Sequence, residues 1–200
     1  MKKLIVLASH NKGKLREFEK MLSPLGYEVK SVDSLGHDEE PVEDGSSYSE
    51  NAYIKAKFYH DILGCAVISD DSGVEIDALG DHFPGIHSAR WADSIMKEYG
   101  EGYINVNKHV LKLLEGKTNR DARYVCSICL VDEEGKSFVF EGVCPGKILE
   151  SITGDHGFGY DPIFFSTECN APFGAIPDEE KNKYSHRGKA IRLLVEHLSK

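Results

Sequence analysis

The chain has 200 residues, 40% hydrophobic and 28% charged, with 7 prolines and a mean hydropathy of −0.36. This is a globular composition, long enough to bury about 70% of the unfolded surface, and it excludes a low-complexity linker. The longest apolar runs, Leu4 to Ala8 and Val125 to Val131, fall far short of the ~20 residues that span a bilayer. A net charge of −9 without clustered lysines and arginines argues against a nucleic-acid polymer as partner. A single nucleotide stays open, because charges beyond about 8 Å are screened and a small anion responds to the cations lining its own cleft.

The apolar N-terminal run passes directly into Ser9, His10, Asn11 and Lys12, too short for a secretory signal. The expectation is a cytoplasmic chain starting at Met1, with its 5 cysteines kept as reduced core thiols. Lys3 to Ser9 reads as a strand and His10 to Gly13 as a polar turn. The helix that follows has the face Leu15, Phe18, Met21, Leu22 and Leu25, stopped by Gly26. Tyr27 to Val32 alternates as a second strand, giving a strand–helix–strand unit that favours a parallel pair. Asp33 to Gly45 is an acidic loop, after which Ser47 and Glu50 form a capping-box pattern. The helix so opened carries Tyr48, Ala52, Lys55/Ala56, Tyr59 and Leu63 on its inner stripe and ends at Gly64.

Cys65 to Ser69 is a short buried strand that ends in Asp70, Asp71, Ser72 and Gly73, with extended chain resuming from Val74 to Leu79. A loop with a Pro-Gly turn covers 80 to 92, and Asp93 to Leu114 is largely helical, with Tyr103, Val106, Val110, Leu113 and Leu114 on one side. Extended segments at 122 to 132, 137 to 144 and 147 to 152 follow, the first two joined antiparallel by a turn at Glu133 to Lys136. Alternation in the first sets Cys126 and Cys129 on opposite faces, against a zinc site. A glycine-rich stretch from Gly154 to Tyr160 leads through Asp161 and Pro162 to Ile163, Phe164 and Phe165. Ser185 caps a last helix carrying Ile191, Leu194, Val195 and Leu198. The pattern is one α/β unit whose central region packs as a second lobe.

Four clusters carry chemistry, each with an ordinary structural alternative. Ser9, His10, Asn11, Lys12, Gly13 and Lys14 lie between a strand and a helix, where open backbone N–H groups and the helix dipole favour an anion; the alternative is a plain turn. Glu43 with Asp44, and Asp70 with Asp71, are adjacent carboxylates that repel unless a cation or proton joins them, a hard-oxygen set suited to magnesium; the alternative is a solvated turn. Gly157 to Pro162 surrounds aromatics with glycines, as a stacked flat ligand or plain packing would require. Lys181, Ser185, His186, Arg187 and Gly188 gather donors at a helix start, or form an ordinary cap. No GxSxG elbow and no HExxH pair is present.

Taken in order, SHNKGK, EDG, ENA with Lys55, DDSG, PGIHSAR, GFGYDPIF, and EEK with SHRGKA make the chain resemble, over nearly its whole length, the inosine triphosphatase family. These are the noncanonical purine nucleoside triphosphate pyrophosphatases, acting on ITP, dITP and XTP. The resemblance implies a single domain over residues 1–200, an elongated mixed β-sheet with flanking helices and two lobes around a central nucleotide cleft. It implies a homodimer, magnesium (Mg2+) as cofactor, and release of the monophosphate and pyrophosphate. It assigns Ser9, His10, Asn11, Lys12, Gly13 and Lys14 to the phosphate loop, Glu43 and Asp71 to the metal, and Asp71 also to the proton acceptor. Asp70 and Lys55 line the reaction centre, while Ser72, Phe158, Gly159, Tyr160, Asp161, Lys181, His186 and Arg187 match substrate positions. The chain departs from the family at Ser9 and His10, in the longer LGDHFPG stretch from Leu79 to Gly85, and at Asp155 and His156. Two other readings stand beside this one: a nucleotide sensor on the same fold without turnover, and a phosphatase removing only the γ-phosphate. Hypoxanthine and xanthine present a 6-oxo acceptor where adenine has a donor, so donors near His186 and Arg187 favour them, and a further donor near position 2 opposes guanine.

Overall fold

The computed structural model describes residues 2–37 and 39–200. Met1, the expected start, and Asp38 of the acidic stretch lie outside them. Among the described residues seven strands form one sheet, β1 (Lys3–Leu7), β2 (Tyr27–Ser31), β3 (Val67–Ile76), β4 (Asp121–Val131), β5 (Ser137–Ile148), β6 (Phe164–Ser166) and β7 (Ala171–Pro172), in the order β2-β1-β3-β4-β5-β6-β7. The sheet is mixed. β1 runs parallel to β2 and β3, whereas β5 with β6 and β6 with β7 are antiparallel. Hydrogen bonds tie Ile148 to Arg120 and Asp132 to Lys136, so residue numbers run oppositely along β4 and β5 and that pair is antiparallel as expected. The helices are α1 (Lys12–Leu22), α2 (Tyr48–Leu63), α3 (Ser88–Tyr99), α4 (Tyr103–Leu113), α5 (Asp178–Tyr184) and α6 (His186–Leu198). Among the described residues none is long and apolar enough to cross a membrane.

The chain divides into two compact units. The first comprises residues 1–71, 126–141 and 190–200. On one face of its strands Ile5, Leu7 and Ile68 pack with Phe18, Leu22 and Leu194 of α1 and α6; on the other Val6, Val67 and Cys129 pack with Ala52, Ala56 and Tyr59 of α2. Cys126 and Cys129 enter these two different clusters, on opposite faces of β4. The second unit comprises residues 72–125 and 142–189 and has one core, in which Val74, Ile76, Tyr124 and Phe164 meet Ala92, Val106 and Val110 of α3 and α4.

Several boundaries differ from the sequence reading. The helix expected across 93 to 114 is two helices, because Gly100 and Gly102 at positive φ break it, and its first half starts earlier, at Ser88. The extended segments at 137 to 144 and 147 to 152 are one strand ending at Ile148, since Pro145 removes one donor without ending pairing to β6. The short helix α5 and the two-residue β7 carry too little periodicity to be read in advance.

The largest correction concerns Asp70 and Asp71. They do not terminate a strand: β3 runs unbroken from Val67 to Ile76 through both acids. Gly73 is not a turn residue either. A Cβ there would lie 2.2 Å from the Gly85 carbonyl oxygen and 2.6 Å from Ser88 Oγ, so the glycine permits a close backbone approach. Ser88 holds that approach by donating to the Gly85 carbonyl at 2.6 Å and accepting from the Val74 N–H at 3.0 Å.

Candidate active site

In the first unit a cavity of about 240 Å³ is lined by Ser9, His10, Asn11, Lys14, Glu40, Glu43, Lys55 and Tyr59, among others. Residues 8–11 join β1 to α1, whose first turn carries Lys12, Gly13 and Lys14, and Asn11 is the N-cap: its Oδ1 accepts from the N–H groups of Gly13 at 2.8 Å and Lys14 at 3.2 Å. Two N–H groups expected to be open to an anion are therefore taken by the cap. His10 pairs through Nδ1 with Asp33 and through Nε2 with Glu40 at 3.3 Å, so this bulky departure from the family ties β1 to the acidic stretch. Lys12 is exposed.

The charged centre lies beside these residues in the same unit. Lys14 Nζ pairs with Asp70 Oδ1 at 2.9 Å, Lys55 Nζ with Glu43 Oε1 at 2.6 Å, and Lys55 also approaches the Asp70 carbonyl oxygen at 3.4 Å. Burial pulls the Lys55 ammonium down, but Glu43, Asp70 and Asp71 outweigh it and hold its pKa above the usual lysine value. Asp71 is pushed up to about 6, chiefly by burial; Asn51 and Lys55 pull it down, while Glu43 and Asp70 add to the rise. Glu43, Asp70 and Asp71 thus meet Lys14 and Lys55 in one network, and a divalent cation is the kind of group that relieves repulsion among neighbouring carboxylates. The carboxylates of Glu43 and Asp71 are hard oxygen donors of the kind a small divalent cation takes, one or two of them with water and phosphate oxygens completing such a shell. The donor chemistry fits such an ion.

The sequence reading gives neither Asn51 nor Tyr59 a site role: Asn51 enters it only within the ENA motif and Tyr59 only on the inner stripe of the helix. Asn51 Nδ2 donates to Asp71 Oδ2 at 3.1 Å, one helical turn before Lys55 on the same face of α2. Its signal was a polar residue, weak as a helix former, one turn ahead of a lysine on the inward stripe.

The second unit holds the other candidates. Asp161 and Lys181 form a buried ion pair at 2.9 Å, and Asp161 also accepts from the Phe158 N–H at 2.8 Å and from Tyr124 OH at 3.3 Å. Tyr124 stays a neutral donor, since burial and Asp161 keep its phenol far above its usual pKa. Gly157 has φ 75°, and a Cβ there would lie 2.2 Å from Asp161 Oδ2, so only glycine lets the chain wrap this carboxylate. Phe158 stands 49% exposed, with Lys181 Nζ 4.8 Å and Arg187 Cζ 5.6 Å from its ring centroid. Arg187 donates to Ser72 Oγ at 3.1 Å, and the His186 ring stacks on Tyr124 at 4.5 Å. Tyr160 belongs to the core, its hydroxyl donating to the Ser88 carbonyl at 2.9 Å, and Gly159 is held by Asn107 Nδ2 at 3.1 Å. These hydrogen bonds fix the stretch.

The predicted residues therefore form two sets. Ser9 to Lys14, Glu43, Lys55, Asp70 and Asp71 lie in the first unit; Ser72, Phe158 to Asp161, Lys181, His186 and Arg187 lie in the second. The second unit also has a cavity of about 730 Å³, lined by Glu75, His82, Arg123, Asp121 and Lys147 among others, which includes no predicted site residue.

Comparison with known proteins bears on the whole chain. The Ham1 family matches residues 5–197. A dITP/XTP pyrophosphatase of Desulfotalea psychrophila is 40% identical over 190 residues, covering 94% of this chain and 82% of that protein. A second protein of that name, from Exiguobacterium sp., is also 40% identical over 190 residues, with 95% and 94% covered. The solved structure of a HAM1 protein from Coxiella burnetii superposes with a TM-score of 0.87 at 33% identity, covering 98% of each chain. The chain belongs to the Ham1 family.

Proposed function

We propose that this chain hydrolyses the α–β phosphoanhydride of noncanonical purine nucleoside triphosphates (ITP, dITP and XTP), giving the monophosphate and pyrophosphate and so cleansing the nucleotide pool. The names carried by its relatives support the reaction. The observation that carries it within this chain is the charged centre: Asp71 and Glu43 held within one network by Lys55, beside the Ser9 to Lys14 stretch.

In this reading Lys14 and Lys55 meet the phosphates, to which a triphosphate brings about four negative charges. Asp71 orients and deprotonates the water that attacks the α-phosphorus. Asp70, paired with Lys14, keeps that ammonium in place. Glu43 and Asp71 would hold a magnesium ion, which when bound would supply neutralisation of the charge developing on the pyrophosphate. Phe158 offers its exposed ring to the base, and Arg187 and His186, with Ser72, supply donors for a 6-oxo group. Residues 1–200 act as one domain of two lobes, in the cytoplasm, without nucleic-acid polymer or membrane as partner, and as a homodimer; light scattering giving a 22.3 kDa monomer under assay conditions would reject the dimer.

The test is incubation of the pure protein with ITP and magnesium. IMP with pyrophosphate supports the proposal, binding without product supports a nucleotide sensor, and IDP with phosphate supports a γ-phosphatase. The kcat/KM for ITP and XTP is expected to exceed that for ATP and GTP by roughly a hundredfold.

A further inference from the structure

We propose that Asn51 is a positioning residue of the charged centre, a clip that uses both ends of its side chain to fix Asp71 and the Glu43–Gly45 segment relative to each other. The inference rests on the reading of Glu43 and Asp71 as metal-binding carboxylates.

Asn51 is fully buried, at 0% exposure, in the first turn of α2. Its Oδ1 accepts from the Gly45 N–H at 2.9 Å, while its Nδ2 donates to Asp71 Oδ2 at 3.1 Å. A backbone N–H can only donate, so the atom facing Gly45 must be the carbonyl oxygen, and the amide NH2 then has to face Asp71. One residue thus reads two partners of opposite polarity, which neither an apolar side chain nor a carboxylate can do. The Gly45 contact is close by design of the chain: a Cβ at Gly45 would lie 2.7 Å from Asn51 Oδ1 and 2.8 Å from the Glu50 Cβ.

The platform is rigid. Ser47 caps α2 by accepting from the Glu50 N–H at 3.2 Å, and Glu50 reaches back to the Ser46 N–H and hydroxyl, both at 2.7 Å. The segment after Glu43 is therefore tied to the helix start at Gly45 and at Ser46. Lys55, one turn further along the same face, reaches Glu43 at 2.6 Å. Asn51 joins this assembly to β3 through Asp71. Partners that orient metal ligands in this way are worth roughly ten- to a hundredfold in metal affinity or activity.

The test is Mn2+ binding to the whole, nucleotide-free protein, followed by the electron-paramagnetic-resonance signal of the free ion. The wild type is compared with Asn51→Leu, Asn51→Ala and Gly45→Ala, each checked for a cooperative unfolding transition. Gly45→Ala pushes the segment off Asn51 while leaving every side chain of the centre intact, so it decides the matter if the Asn51 variants fail to fold. Folded variants are expected to bind Mn2+ about tenfold or more weakly. At saturating metal the KM for ITP should move by less than about threefold while kcat falls roughly tenfold or more, a split that general destabilisation does not produce. Wild-type Mn2+ affinity in folded variants overturns the role of Asn51 and leaves the pyrophosphatase reading standing. A wild type that neither binds Mn2+ nor releases pyrophosphate overturns that reading and this role together.

Discussion

The two sets of candidate residues balance their charge in opposite ways. In the second unit Asp161 and Lys181 form a closed one-to-one pair, and Phe158 and Tyr124 donate to the same carboxylate. In the first unit three neighbouring carboxylates, Glu43, Asp70 and Asp71, meet Lys14 and Lys55, and Asp71 is raised to about 6 by burial and its acidic neighbours. A balanced pair needs nothing from a ligand and serves as fixed scaffolding for a recognition surface. An unbalanced cluster stores a demand for positive charge, which suits it to a metal-bound polyphosphate and to a base with a useful pKa.

The sharpest way to break this comparison is to remove the proposed proton acceptor. Asp71→Asn should lower pyrophosphate release from ITP by on the order of a thousandfold while ITP binding, measured by calorimetry, changes little. Chelation with EDTA should give a comparable loss, reversed by added magnesium. Near-normal turnover in Asp71→Asn would remove this residue from the chemistry and with it the contrast between the units.

Lys181→Met tests the other side. It leaves Asp161 buried without its counter-ion, a loss of about 3 kcal/mol or more, so thermal unfolding should move down by several degrees. An unchanged Tm would show that the pair is not the scaffold described. Arg187→Ala should act on choice rather than stability, narrowing the ITP-to-ATP ratio of kcat/KM by about tenfold, the worth of one buried donor. A ratio that does not move would place base discrimination elsewhere.

The smallest effect concerns the larger cavity of the second unit. Burial pushes the Glu75 carboxyl up, but the hydrogen bonds from His82 and Arg123 outweigh it and hold its pKa below the usual carboxylate value. A depressed folded-state pKa stabilises above the unfolded value and is lost as pH falls through the folded one. Tm should therefore decline less steeply toward acid in Glu75→Gln than in the wild type, and parallel curves would refute the assignment.

The strand–helix–strand opening was legible because Leu15, Phe18 and Leu22 repeat at helical spacing, with Phe18 and Leu22 entering the core beside β1. The capping pattern at Ser47 and Glu50 was legible for the same local reason, although Glu50 reaches Ser46 rather than Ser47. Asp70 and Asp71 misled the reading, because adjacent acids before a glycine are turn residues by local preference. In the folded chain Lys14, Lys55 and Asn51 compensate them from α1 and α2, which makes a polar central strand tolerable.

By itself the sequence determined the α/β class, the caps of α2, the opposite faces of Cys126 and Cys129, and the motif order that marks the family. Each is encoded in spacing along a few consecutive residues or in residue identity. Only the tertiary structure decided that β3 runs through its acids, that Gly73 serves a close approach to Gly85, that Asn11 occupies N–H groups expected to be open, and that Asn51 joins Gly45 to Asp71. These depend on partners distant in the chain or on competition for one donor, and the energy of a buried polar group is set by what finally surrounds it.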